Sequence, residues 1–304
     1  MLVFSPDGST LATVASNGTD VVLLDAKSGN TLKTIPSAFQ KYQYGSEAIQ
    51  FSHDGTRLLT FQTLNYGYSG AFDCWKNDGT RLTASGVSAT SATFTYDGTG
   101  VFYSPTTNRN VINQYDIASG NNLATFNLAI NNNSPQVVGL TAGGSQFVAL
   151  VGSSIYTWDI ASNIRVNSFT IGSSSDSSSA IGAPLSPDGS IIAVNNYSNI
   201  SFYNVVTGGK LCTTSIALPT NYSNSTGVAY PYSYGISPND ANFIAQYQIG
   251  AGNTVELLKM SDGTQTYLFD PPASGGYTSG VAISPDGKLA AAVYGSEIRV
   301  WKVN

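Results

Sequence analysis

A short turn of the Ser-Pro-Asp-Gly type recurs seven times along this chain of 304 residues, and no other feature restricts its fold as strongly. It reads Ser5-Pro6-Asp7-Gly8, Ser52-His53-Asp54-Gly55, Thr95-Tyr96-Asp97-Gly98, Thr141-Ala142-Gly143-Gly144, Ser186-Pro187-Asp188-Gly189, Ser237-Pro238-Asn239-Asp240 and Ser284-Pro285-Asp286-Gly287. Its last residue falls at positions 8, 55, 98, 144, 189, 240 and 287, a spacing of 43 to 51 residues. Proline presets φ at the second position, aspartate bonds to its own backbone, and glycine accepts the positive φ that closes a hairpin. Self-similarity at a fixed period marks an array of one supersecondary unit.

The segments between successive turns define that unit. After the first turn come apolar segments at Thr10 to Ala15 and Val21 to Asp25, a tight turn at Lys27-Ser28-Gly29-Asn30, and a further segment at Thr31 to Ile35. With the segment before the turn, this makes four short strands per repeat. Strands bounded by turns, with no helical periodicity between them, indicate a sandwich, barrel or propeller, and a repeat of about 45 residues selects the propeller. The expected fold is therefore all-β: a seven-bladed β-propeller with four-stranded antiparallel blades at approximately 1–35, 47–84, 91–127, 136–170, 181–215, 232–269 and 280–304. Blades of this kind bury their faces against their neighbours, so 1–304 is expected to be a single propeller domain without internal linkers.

Two third strands carry a family resemblance, Ile155-Tyr156-Thr157-Trp158-Asp159-Ile160 and Ile298-Arg299-Val300-Trp301-Lys302-Val303. With the repeat length, they resemble the WD40 family of seven-bladed propellers, and the Pro-Asp-Gly turn is more similar to bacterial propellers with WD40-like repeats. The resemblance covers the whole chain. It departs from the family in lacking the Gly-His pair before the first strand, and only Trp158-Asp159 keeps the namesake dipeptide. The family's buried Asp-His-Ser-Trp network is therefore not expected here. The resemblance implies binding of proteins or glycans, with occasional catalysis. It also implies a ring fastened by an N-terminal segment that supplies the outer strand of the last blade. Here Leu2 to Phe4 directly precede the first turn and are expected to form the innermost strand of blade one. Blade seven then retains Gly280 to Ile283, Lys288 to Val293 and Glu297 to Val303, a three-stranded blade whose outer edge is bare or completed by strand addition from another chain or an upstream region.

Composition narrows the chemistry. Charged residues make up 10% of the chain, against roughly 25% in ordinary soluble domains, and the net charge is −5. No basic stripe is available to neutralise a row of phosphates, so nucleic acid is not an expected partner. No run of about 18 apolar residues suggests a membrane span, and Met1 to Gly8 show no basic or apolar targeting segment. Cys74 and Cys212 lie three repeats apart and read as small apolar strand residues, not as a bridge. With one histidine, His53, in a hairpin turn and no clustered thiols or Asp-x-Asp loop, no metal or other cofactor is expected. Asp7, Asp54, Asp97, Asp188, Asp240 and Asp286 belong to the first turn, and Asp25, Asp78, Asp116, Asp159 and Asp262 to the turn after the third strand. All eleven read as turn formers. Asp20, Asp73, Asp176, Asp270, Glu47, Glu256 and Glu297 are scattered, and no spacing makes a pair of them. No catalytic residue is assigned.

The stronger functional signal is aromatic. In a WD40-like propeller the loops entering each blade and those joining its second and third strands share one face, at the mouth of the channel. Assigned to these loops are Phe39 and eight tyrosines: Tyr42, Tyr44, Tyr66, Tyr68, Tyr222, Tyr230, Tyr232 and Tyr277. Charge comes there only from Lys41, Glu47, Arg109, Asp176 and Asp270. Tyrosine joins a flat apolar body to a hydrogen-bonding tip and loses little rotamer freedom on contact. The expected function is a non-catalytic binding or assembly scaffold whose Tyr-rich face holds a protein, a glycan or a neighbouring copy. An extracellular or cell-surface home is favoured by six Asn-x-Ser/Thr matches, at Asn17, Asn132, Asn196, Asn199, Asn221 and Asn224; a cytoplasmic home stays open. The alternative is an extracellular propeller lactonase, lyase or glycosidase, with acids such as Glu47, Asp176 and Asp270 converging on the mouth.

Overall fold

In the computed structural model, which describes residues 1–39, 47–64, 69–83, 86–108, 110–128, 135–171, 185–196, 199–215, 231–237, 242–249, 252–269 and 278–303, the repeated turn closes through its own side chains. Ser5 Oγ donates to Asp7 Oδ1 at 2.6 Å and accepts from the N–H of Thr10 at 2.9 Å, while Asp7 Oδ1 accepts from the N–H of Ser9 at 3.0 Å. The same three bonds recur around Ser52 and Asp54, Thr95 and Asp97, Ser186 and Asp188, and Ser284 and Asp286. The glycines that close these turns have φ near +70°. The turn after the third strand uses Asp25, Asp116, Asp159 and Asn204 to accept from the backbone N–H three residues on, and Asp78 and Asp262 from the one two residues on. The described turn aspartates are thus turn formers, as their spacing predicted; Asp240 lies outside the described residues.

These bonds make the turns sensitive to acid. The serine hydroxyl first, then the backbone donors, hold Asp7, Asp54 and Asp286 below the ordinary carboxylate value. Around Asp97 and Asp188 burial is the largest single influence and raises the value, yet the combined hydrogen bonds leave both lowered. A carboxylate whose folded pKa is depressed contributes stability that is complete above its unfolded value, near 3.9, and is lost as pH falls through the folded value. The unfolding midpoint should therefore hold steady down to about pH 5 and fall steeply below about pH 4. Combining Asp7→Asn, Asp54→Asn and Asp286→Asn should flatten that fall in a series of urea melts; an unchanged acid limb would show that the turns do not set it.

The chain divides into two compact units, 3–170 and 171–304, the latter grouped with the first two residues. In the first unit, β1 (Leu2–Phe4), apart from its first residue, β2 (Thr10–Val14), β3 (Val21–Asp25) and β4 (Thr31–Ile35) form one sheet in that order. A second sheet contains β5 (Glu47–Phe51), β6 (Arg57–Leu64), β7 (Ser69–Lys76), β8 (Val87–Phe94), β9 (Gly100–Pro105), β10 (Val111–Asp116) and β11 (Asn122–Asn127). A third holds β12 (Gln136–Leu140), β13 (Gln146–Val151), β14 (Ser154–Asp159) and β15 (Ile164–Thr170). The alternation of apolar residues along the inner strands builds the core. Phe102, Phe126 and Phe147 are fully buried, with ring centroids 5.1–5.9 Å apart, and Trp158 lies parallel to Phe147 at 6.4 Å.

In the second unit, β16 (Ile191–Asn196), β17 (Asn199–Asn204) and β18 (Lys210–Ser215) form a three-stranded sheet, extended by an isolated bridge from Leu185 to Ile192. Next come β19 (Pro231–Ile236), β20 (Asn242–Ile249), β21 (Gly252–Lys259) and β22 (Gln265–Phe269), and then β23 (Thr278–Ile283), β24 (Leu289–Tyr294) and β25 (Glu297–Lys302). Phe202 and Phe243 pack at 5.3 Å, and Phe269 meets Trp301 at 5.0 Å. Among the described residues the sheet of β23 to β25 has three strands, and β1 pairs with β2.

Two features depart from the repeat as the sequence suggested it. The second and third repeats are not separate four-stranded sheets, because β8 serves both: Val87 and Ser88 pair with Phe72 and Ala71 of β7, and from Ala89 onward the strand pairs with β9. A bulge between Ala89 and Ser91 turns the strand between its two partners, and the expected outer strand of the second repeat shrinks to a single bridge from Trp75 to Arg81. The fourth turn, which has no aspartate, closes instead as a 3-10 turn at Ala142–Gly144, with both Gly143 and Gly144 at positive φ. Elsewhere the sheets agree in one detail. Where an outer strand pairs with the third strand, the register shifts by one residue at Leu23/Leu24, Gln114/Tyr115, Thr157/Trp158, Phe202/Tyr203 and Leu257/Leu258.

Candidate ligand-contact site

Of the eight tyrosines expected to form a contact face, Tyr42, Tyr44, Tyr66, Tyr68, Tyr222, Tyr230 and Tyr277 lie outside the described residues, as do Lys41, Arg109, Asp176 and Asp270. Tyr232 lies in β19, at the register shift between Pro231 and Ser233. β12 and β23 shift at the matching place, Val137/Gly139 and Thr278/Gly280, so the bulge belongs to the repeat, and the sequence puts a tyrosine at it in β19. Glu47 opens β5. Phe39 is corrected: it is 4% exposed, with its N–H donating to Thr19 O at 2.8 Å, and so is buried instead of offering a contact ring.

Ser37, Ala38 and Phe39 also line a cleft of about 160 Å³ in the first unit. Ser37 and Phe39 form one side, Thr60 and Gln62 of β6 with Ala71 and Asp73 of β7 the other, and Arg81 borders it. The strand register explains the polar wall, because Thr60 pairs with Asp73 and Gln62 with Ala71, so the four side chains share one face of the sheet. Arg81 donates to Asp73 Oδ1 from Nε at 3.0 Å and Nη2 at 2.6 Å, and Thr83 Oγ1 adds a third bond at 2.6 Å. The Arg81 guanidinium also lies 5.7 Å from the Trp75 ring, whose Nε1 donates to Thr60 Oγ1 at 2.9 Å. This Trp-to-hydroxyl bond stands without a histidine. The cleft is electrically balanced, pairs its one carboxylate with its one guanidinium, and so has the chemistry to hold a neutral polar group. Sequence reading missed it because Asp73 and Arg81, eight residues apart, match no motif; the bridge from Trp75 to Arg81 brings them together, and the register of β6 and β7 adds Thr60 and Gln62. In sequence, Phe39 runs into the segment with Tyr42 and Tyr44, and β6 into the one with Tyr66 and Tyr68.

The other reactive groups are occupied or quiet. His53 is exposed and stacks on Tyr96 at 4.2 Å. Both cysteines are free. Burial, followed by the charge of Asp73, pushes the Cys74 thiol up to about 12, and burial also raises Cys212, whose Sγ donates to Met260 O at 2.9 Å. Neither is a thiolate nucleophile at neutral pH. Asp20 accepts from the N–H of Ser37 at 2.9 Å, and Glu297 pairs with Arg299 at 2.7 Å. Among the described residues no three His, Cys, Asp or Glu side chains converge, and no helix is long and apolar enough to cross a membrane.

No family model and no curated protein matches the sequence. Solved structures do. The chain is similar to the β-propeller domain of Myceliophteria thermophila Cps50 (Swd1), with a TM-score of 0.72, 14% identity, and coverage of 100% of this chain and 95% of that one. It is also similar to a chain in the crystal structure of the Mitotic Checkpoint Complex, with a TM-score of 0.63, 14% identity, and coverage of 100% and 86%. At this identity the likeness is one of fold, and the fold is that of an all-β propeller.

Proposed function

We propose that this chain is a seven-bladed, WD40-like propeller of the Ser-Pro-Asp-Gly repeat type that works as a non-catalytic binding or assembly scaffold. The observation that carries this reading is the use of its carboxylates: each described turn aspartate is spent on its own turn, and Asp73 on Arg81 and Thr83. The similarity to propellers in a crystallised multi-protein complex supports the same reading. Contact is assigned to the tyrosine-bearing segments around Tyr42, Tyr44, Tyr66 and Tyr68, with the cleft lined by Phe39 and Gln62, their neighbours in sequence, as the polar recess. The ligand is a protein segment or glycan without strong charge, met outside the cell or at its surface. Aromatic contacts contribute on the order of 1 kcal/mol each, so several together are needed for micromolar affinity.

The test is a double variant, Tyr66→Ala with Tyr68→Ala. Pull-down and glycan-array binding should weaken by about tenfold or more, since two contacts of this size are lost, while circular dichroism and the melting temperature stay at the wild-type values. Binding that is undiminished in this variant would remove the loops from the contact surface. Loss of a hydrolytic or lyase activity in Glu47→Gln, Asp176→Asn or Asp270→Asn would favour the enzyme reading instead.

A further inference from the structure

We infer that the cleft between Ser37 and Asp73 is a subsite for one neutral sugar ring, held through hydroxyls on opposite edges of that ring. The inference rests on the binding-scaffold reading above and names the ligand class of its polar recess.

The cleft carries hydrogen-bonding capacity that the fold itself does not use. The three side-chain donors to Asp73, which are Arg81 Nε, Arg81 Nη2 and Thr83 Oγ1, all converge on Oδ1, and among the described residues Oδ2 accepts no hydrogen bond. Thr60, 2% exposed, accepts from Trp75 Nε1, so its own O–H is left to donate elsewhere. Thr60 and Asp73 are paired across β6 and β7, which sets this donor and the Asp73 acceptor side by side on one face of the sheet. On the facing wall the backbone N–H of Ser37 donates to Asp20 Oδ1, while its hydroxyl has no partner among the described residues. Ser37 holds φ at +53°, in the left-handed region that favours glycine, and so keeps a hydroxyl at the cleft against its backbone preference.

Gly86 supplies access. It lines the cleft, and a Cβ added there would lie 3.2 Å from the Cβ of Ala71 and 3.8 Å from Asp73 Oδ2. Its φ is not positive, so the backbone does not demand a glycine at this position. The absent side chain leaves room over the unused carboxylate oxygen.

Charge, size and shape together define the occupant. A ligand carboxylate would face Asp73 and a ligand ammonium would face Arg81, so the paired charges select an uncharged group. Clefts for drug-sized ligands run to roughly 300–1,000 Å³, and one of about 160 Å³ takes a single small unit. A side-chain carboxamide carries its polar atoms at one end and would satisfy one wall only. A sugar ring carries hydroxyls around its edge, and each can both donate and accept. One edge can then accept from Thr60 and donate to Asp73 Oδ2 while the other meets Ser37.

The probes are the methyl pyranosides of glucose, galactose and mannose, titrated into the ¹⁵N-labelled full chain. The readout is the indole N–H signals of its three tryptophans, Trp75, Trp158 and Trp301. Because Trp75 Nε1 donates to Thr60, at least one glycoside should shift the Trp75 signal with a Kd on the order of millimolar and leave the other two in place. Ser37→Gly, which suits the positive φ, should weaken that binding by about fivefold, the worth of one hydrogen bond, with the melting temperature kept. Gly86→Val should abolish it. No Trp75 shift with any of the three glycosides, binding undiminished in both variants, or an equal shift with acetamide, which would make a protein carboxamide the occupant, would overturn the inference. Tyr66→Ala with Tyr68→Ala should leave the Trp75 shift intact, and its loss there would place the sugar on the tyrosine segments instead of in the cleft. Partner binding that falls in this double variant while no glycoside moves Trp75 would sink the subsite and keep the contact reading, so the two failures are told apart.

Discussion

Phe147→Ala is expected to lower the unfolding free energy by about 3–5 kcal/mol, the range seen when a large buried aromatic is cut to a methyl group. Its ring is fully buried and touches three others, Phe102 at 5.5 Å, Phe126 at 5.1 Å and Trp158 at 6.4 Å. Removing it loses transfer free energy and leaves a cavity that rigid strands on both sides cannot close. Leu123→Ala is the control, because Leu123 is 63% exposed on β11 and should change stability by no more than about 0.5 kcal/mol. Urea melts at a common slope compare the two. A loss below about 1 kcal/mol for Phe147→Ala would mean that the core around it is loosely packed.

Gly144→Ala should cost about 2–4 kcal/mol, although it adds one methyl group at a surface turn. Gly144 has φ +70°, a conformation that residues with a Cβ adopt only under strain, and its added Cβ would lie 2.2 Å from the Cβ of Tyr96. Tyr96 cannot retreat by rotating, since the clash is with the base of its side chain. Gly98 and Gly55 face Ser52 and Pro6 of the preceding turns with more room, at a tight 3.1 Å and an ordinary 3.4 Å. Alanine at Gly143, which has φ +72° but nothing within 4 Å, isolates the backbone cost, expected near 1 kcal/mol. Equal losses at 143 and 144 would show that φ alone decides and that the approach to Tyr96 is soft.

The turns were readable from sequence because their bonds are local: Ser5, Asp7 and Ser9 find one another within five residues, whatever the rest of the chain does. Strand order followed from the same periodicity. The double duty of β8 was not readable, since Val87 is drawn to Phe72 across a sheet edge by packing that no spacing encodes. Phe39 shows the limit of reading aromatic loops. Its ring looks like its neighbours in composition, and only its burial in the fold shows it turned inward. The tyrosines were singled out in the sequence, and the cleft between Phe39 and Asp73 by geometry alone.

The strand shared between the second and third repeats bears on how the protein comes apart. Repeats that touch only through side chains can open singly, each with its own free energy, as in a one-dimensional chain of weakly coupled units. Here β5 to β11 form one continuous backbone ladder, so prising the second repeat from the third means breaking main-chain bonds at Ala71 and Phe72 as well as packing. Residues 47–127 should therefore open together as one slow unit in native-state exchange, and a force applied along the chain should meet its first large barrier at that double-width sheet.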